Sequence, residues 1–172
     1  MILFSFFLSL VPFALQVFVY GATLPILPFI PFIVICLLLK PLPHTLFLSG
    51  ATGLLIDLIS SDPFGIHALN HTLTAALGFR GRLFFSAESP LQLSLYTATC
   101  SLISTALQIA LLFLFDRRIT FQGKWWVAEW ALLPLLDALY AFLWFAGPLA
   151  LFRVVHRFWA IYWLKKKNPF PT

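Results

Sequence analysis

Residues Ser49 to Gly78, SGATGLLIDLISSDPFGIHALNHTLTAALG, constrain this chain more than any other stretch. They are apolar enough to enter a bilayer, yet they carry Asp57, Asp62, His67, Asn70 and His71. Polar groups at membrane depth are costly and turn toward a bundle interior, a cavity or a partner. Spacing in fours puts Ser49, Gly53 and Asp57 on one helical face. After the SSDPFG break, His67, Asn70, His71, Thr74 and Gly78 fit one face of a second helix. The stretch predicts two helices joined by a tight turn. An acid sits beside the turn, and a polar seam runs away from it.

Composition extends this reading to the whole chain. Of 172 residues, 61% are hydrophobic and 10% charged, more apolar surface than a soluble domain of this size needs. A run of about 18 or more apolar residues can cross the hydrocarbon core, and several such runs are present. The expected fold is all-α membrane: one polytopic domain over residues 1–172, with about six transmembrane helices in one bundle. Twenty Phe residues suit lipid-facing surfaces. The net charge of +5 comes from cations at segment ends and at the C-terminus, which points to topology and not to nucleic acid. Cys36 and Cys100 lie within apolar runs and read as small hydrophobes, not a disulfide or a metal site. The first hydrophobic run has no Lys or Arg before it, so it reads as a retained helix and not a cleaved leader.

Segment one, about Ile2 to Tyr20, has a mildly polar face of Ser5, Ser9, Pro12 and Gln16. Segment two, about Leu24 to Leu39, holds Pro25, Pro28 and Pro31. Three prolines at that spacing leave carbonyls without donors and predict a kinked or partly unwound helix whose freed groups are buried against neighbours. Lys40 to His44 form a short turn. Segments three (about Thr45 to Ile59) and four (about Phe64 to Phe79) are short for a span, which predicts tilting or partial re-entry. Segment five, about Leu91 to Phe115, carries a stripe of Ser94, Thr97, Ser101, Thr105 and Gln108. Segment six, about Val127 to Phe152, sets Pro134, Asp137, Ala141 and Pro148 on roughly one face. The tail, about 153–172, alternates cations with Trp159, Tyr162 and Trp163, an interfacial pattern.

Six spans place both termini on one side. With that side cytoplasmic, Lys40, Arg80, Arg82, Arg153, Arg157, Lys165, Lys166 and Lys167 lie inside, and Arg117, Arg118 and Lys124 outside. The excess inside agrees with the positive-inside rule. The turn carrying Asp62 then faces outward.

Several constellations have two readings. Asp57, His67 and His71 could ligate a metal or relay protons, but no HExxH and no second acidic cluster accompany them, and hydrogen bonding inside a bundle accounts for the same residues. Asp137 is either a ligand contact or a paired acid. Its partner would be the segment-five stripe, or the first turn of a half-helix begun at Pro134. The stripe itself lines a cavity or serves helix packing. No nucleophile triad, phosphate loop or catalytic carboxylate pair can be assembled.

Gly53, Asp57, Pro63, Gly65 and His67, within GLLIDLISSDPFGIHAL, resemble the MreD family of rod shape-determining proteins. In that family a helix carrying Gly and Asp leads through a Pro-x-Gly-x-His turn into another helix. Phe64 stands where the family often has a smaller aliphatic residue. His71 and the three-proline segment are not features of the resemblance. What the resemblance implies is a bacterial inner-membrane protein of the cell-elongation machinery, multi-pass, with cytoplasmic termini. It implies binding to MreC, a single-span protein, and through it a link from MreB to the glycosyltransferase and transpeptidase that build lateral-wall peptidoglycan. It also implies a fold similar to the substrate-binding subunits of energy-coupling-factor vitamin transporters.

The leading expectation is a non-catalytic scaffold without cofactor or metal. Its structural motif and partner interface are Gly53, Asp57, Pro63, Gly65 and His67. A second is a vitamin-type transport subunit with Asn70, His71, Ser101, Gln108 and Asp137 lining a pocket. A third is a membrane enzyme acting on lipid-linked precursors, for which no acid/base pair stands out.

Overall fold

The structure is a computed structural model, and it describes residues 2–18, 26–60, 62–86, 89–115, 128–148, 151, 154, 155 and 159. The described residues form helices, turns and short irregular connections, with no strand among them. Six helices lie among the described residues. α1 is Ile2–Phe18, α2 Ile30–Leu39, α3 Leu42–Asp57, α4 Ile66–Gly78 and α5 Pro90–Leu114. α6 is one rod with wide π-type turns over Ala128–Leu132, α-helix over Leu133–Tyr140 and π-type turns again over Ala141–Ala146. A short 3-10 turn, Gly81–Phe84, follows α4. Pro25, Arg117, Arg118, Lys124, Arg153, Arg157, Tyr162, Trp163 and Lys165 to Lys167 lie outside the described residues.

α2 occupies the centre and touches α1, α3, α4 and α5. Residues Ile30 to Leu37 are all buried. A helix apolar on every side has no face to give to water and belongs in a core. Its prolines do not kink it. Pro31 sits in the first turn, where the missing N–H is an orphan in any case, and Pro28 precedes the helix. The unwound part of segment two is therefore its N-terminal end. Around α2 the core holds Ala75, Leu93, Tyr96, Cys100, Phe145 and Ala146.

The other helices turn polar faces inward. Ser5, Ser9 and Pro12 are the buried residues of α1, as their spacing predicts. Thr45, Ser49, Thr52, Gly53 and Asp57 are those of α3. Outward point large apolar side chains such as Phe7, Phe47, Leu77, Phe84, Leu95 and Leu135, each more than half exposed. Most of the buried hydroxyls bond to carbonyls of their own helix. Ser49 Oγ donates to Thr45 O at 2.7 Å, and Thr97 Oγ1 to Leu93 O at 2.8 Å.

Turns fix the two ends of the bundle. At one end Arg82 lies over the Phe79 ring at 3.9 Å and donates to Lys40 O at 3.3 Å. Tyr96 Oη donates to Gly78 O at 2.5 Å and stacks on Phe85. At the other end lie the α3–α4 turn and the segment ahead of α2. Pro90–Leu114 is the one described helix long and apolar enough to cross a membrane by length and composition. Ile2–Phe18, Ile30–Leu39 and Trp130–Ala146 are apolar but shorter. At 1.5 Å per residue, α3 and α4 reach about 24 and 20 Å, short of the ~30 Å hydrocarbon core.

Candidate functional site

The α3–α4 corner is a single hydrogen-bonded unit. Gly65 holds φ +96° and ψ −10° at the N-cap of α4, a left-handed conformation favouring glycine. The Ile66 N–H donates to Pro63 O at 3.3 Å, closing a turn with Gly65 where a type II turn requires it. A glycine cap has no side chain to offer the free amides of the helix's first turn. Asp57, at the end of the preceding helix, supplies the acceptors instead. Its Oδ1 takes the His67 N–H at 3.0 Å and its Oδ2 the Ala68 N–H at 3.1 Å. A carboxylate at a helix N-terminus also meets the positive end of the helix dipole. Asp57 is buried at 5% exposure, so both oxygens are used inside the protein.

Gly53 explains how Asp57 gets that close. A Cβ there would overlap the Ala68 backbone and the His67 carbonyl. One turn of α3 thus lies directly against the first turn of α4. The His67 ring is held on the loop side: Nε2 lies 3.2 Å from Ser60 Oγ and 3.4 Å from Asp62 Oδ2, and Ser60 Oγ accepts the Asp62 N–H at 3.1 Å. The five expected motif residues are therefore brought together. Leu58, Ile59 and Phe64 stand exposed on the same corner.

Behind the corner lies a cavity of about 430 Å³, lined by parts of α1, the residues ahead of α2, α3, α4, α5 and α6. His67, Asn70, His71, Ser104, Thr105 and Gln108 are its polar lining on α4 and α5. Of the five expected pocket residues, Asn70, His71 and Gln108 line it. Ser101 and Asp137 do not. They are turned to each other, Ser101 Oγ donating to Asp137 Oδ2 at 2.5 Å, and Asp137 Oδ1 accepts the Leu27 N–H at 2.7 Å. Pairing with the segment-five stripe is thus observed, whereas the half-helix at Pro134 is not: α6 runs unbroken from Ala128 through it. The stripe divides. Ser94 and Thr97 bond their own helix, while Thr105 and Gln108 line the cavity.

Sequence reasoning missed Thr52, whose Oγ1 lies 3.1 Å from His71 Nδ1, and Ser104, which accepts from Asn70 Nδ2 at 3.0 Å. Thr52 falls three residues after Ser49 and Ser104 three after Ser101, so helical spacing marked both. Gln16, on the expected polar face of α1, donates from Nε2 to Ile26 O at 3.0 Å and lines the cavity. Among the described residues no group of three His, Cys, Asp or Glu could hold a metal ion. Comparisons with protein families, with curated proteins and with solved structures found no match.

Proposed function

We propose that this chain is a non-catalytic membrane scaffold of the bacterial cell-elongation machinery, of the MreD type. The observation that carries the reading is the corner: the residues behind the resemblance, Gly53, Asp57, Pro63, Gly65 and His67, converge on one rigid unit. A motif spread over two helices and a turn then has one physical purpose, to present Leu58, Ile59 and Phe64 in a fixed geometry to a partner's span. The inverted surface supports six spans in the inner membrane. Apolar side chains face out and hydroxyls face in, an arrangement lipid favours and water penalises. The corner end faces the periplasm and the Lys40–Arg82 end the cytoplasm, in accord with the excess of basic residues there.

Co-purification with MreC tests the reading. Phe64→Ser removes an exposed ring without touching the corner's hydrogen bonds, and Asp57→Ala removes those bonds. Both lower recovery of MreC while the protein stays in the membrane fraction. Recovery equal to wild type in both variants overturns the assignment.

A further inference from the structure

We propose that the cavity behind the corner is a binding site for a small uncharged molecule that carries an amide-type edge on an apolar body. This inference does not rest on the scaffold reading. Its volume, about 430 Å³, lies within the range of small-ligand pockets. Its lining contains no Lys, Arg, Asp or Glu. The two buried carboxylates nearby are committed to backbone amides of the wall itself: Asp57 to His67 and Asp137 to Leu27.

Hydrogen-bond capacity identifies which atoms remain for a ligand. Asn70 gives its amide hydrogens to Ser104 Oγ and Gln108 Oε1, and its Oδ1 faces the Thr74 hydroxyl. It braces the wall and has little left to offer. Thr52 donates its single hydroxyl hydrogen to Ser49 O at 2.8 Å, so toward His71 it can only accept. With its N–H turned to Thr52 Oγ1 and the Ser49 carbonyl on α3, His71 carries its proton on Nδ1, and Nε2 is left as an acceptor. Gln108 accepts through Oε1 and keeps its amide N–H groups as donors. The His71 acceptor from α4 and the Gln108 donor from α5, with the Ser104 and Thr105 hydroxyls beside it, thus serve a common space whose other walls include Phe13, Ile109, Leu112 and Leu133. An amide edge matches both, its N–H to His71 Nε2 and its C=O to the Gln108 amide. A carboxylate has no donor for Nε2, and an ammonium has no carboxylate to meet.

The test uses the full chain in detergent micelles and three ligands with one ring: benzamide, benzoate and benzylammonium, titrated by ligand-observed NMR. Benzamide binds saturably, and each charged analogue binds at least about tenfold more weakly, the loss of a matched hydrogen bond. Gln108→Met weakens benzamide about tenfold. Ile109→Trp, which fills the space and leaves the polar network in place, abolishes binding even if Gln108→Met does not fold. Non-saturating uptake, a charged analogue that binds as tightly as benzamide, or binding unaltered by Ile109→Trp overturns the proposal.

Discussion

Asp137 and Leu27, 110 positions apart in the chain, meet at 2.7 Å: the carboxylate accepts the backbone N–H of the irregular segment ahead of α2. Gln16 donates to the neighbouring Ile26 carbonyl at 3.0 Å. Irregular backbone inside an apolar bundle persists only where its polar groups are paired. Here two side chains from distant helices do the pairing. Removing the acceptor with Asp137→Leu leaves the Leu27 amide and the Ser101 hydroxyl unpaired. The expected loss is about 1.5–3 kcal/mol of stability, with Asp137→Asn losing less than half as much. Unfolding in mixed micelles measures both.

Asp57 caps α4 from outside the helix. Asp57→Ala should destabilise by about 0.5–2 kcal/mol, the usual cost of a lost N-terminal cap. Asp57→Asn, with one carbonyl oxygen left to accept, should fall between the two. Amide hydrogen exchange localises the effect, with His67 and Ala68 losing protection first.

Gly53 and Gly50 lie one turn apart on α3 and separate two kinds of close contact. A methyl on Gly53 meets the Ala68 backbone, which cannot step aside without moving α4. A methyl on Gly50 lies 3.1 Å from Thr72 Oγ1, an atom at the end of a side chain. Gly53→Ala is expected to cost about 1–3 kcal/mol, as overpacking does, and Gly50→Ala clearly less. Thermal melts of the two variants side by side give the comparison.

Gly65 tests backbone strain without crowding, because nothing lies within 4 Å of a Cβ placed there. Gly65→Ala should cost about 1–2 kcal/mol for the left-handed conformation alone. Gly65→Asn should recover part of it, since Asn tolerates that region better. Equal melting temperatures for the two variants would contradict this.

Labelling with a membrane-impermeant maleimide in intact cells checks the orientation. Phe64 and His44 are both exposed, one on the corner and one beside Lys40. Phe64→Cys should label from outside and His44→Cys only after permeabilisation. Cys36 and Cys100 are both fully buried and should stay silent, so the native cysteines need no removal.

Much of the corner was legible in the residues. The four-residue spacing of Ser49, Gly53 and Asp57 placed all three on the buried face of α3, and Ser5, Ser9 and Pro12 did the same for α1. The Asp137–Ser101 pair was one of two partners the spacing allowed. The Leu27 amide was not legible, because a backbone N–H leaves no mark in side-chain periodicity and its acceptor comes from the far end of the chain. The start of α2 was misplaced for a related reason. A proline kinks a helix interior or opens a helix, and only the packing of Phe29 and its neighbours decides which.

The Leu27–Asp137 bond also bears on biosynthesis. A ribosome releases the segment ahead of α2 long before it has made the residue that completes it. Until α6 arrives, a nascent chain carries a bare amide in its greasiest region, so truncation before residue 137 leaves a defect at the opposite terminus. Loss of α6 should be sensed by proteases through exposure near Leu27, far in sequence from the cut.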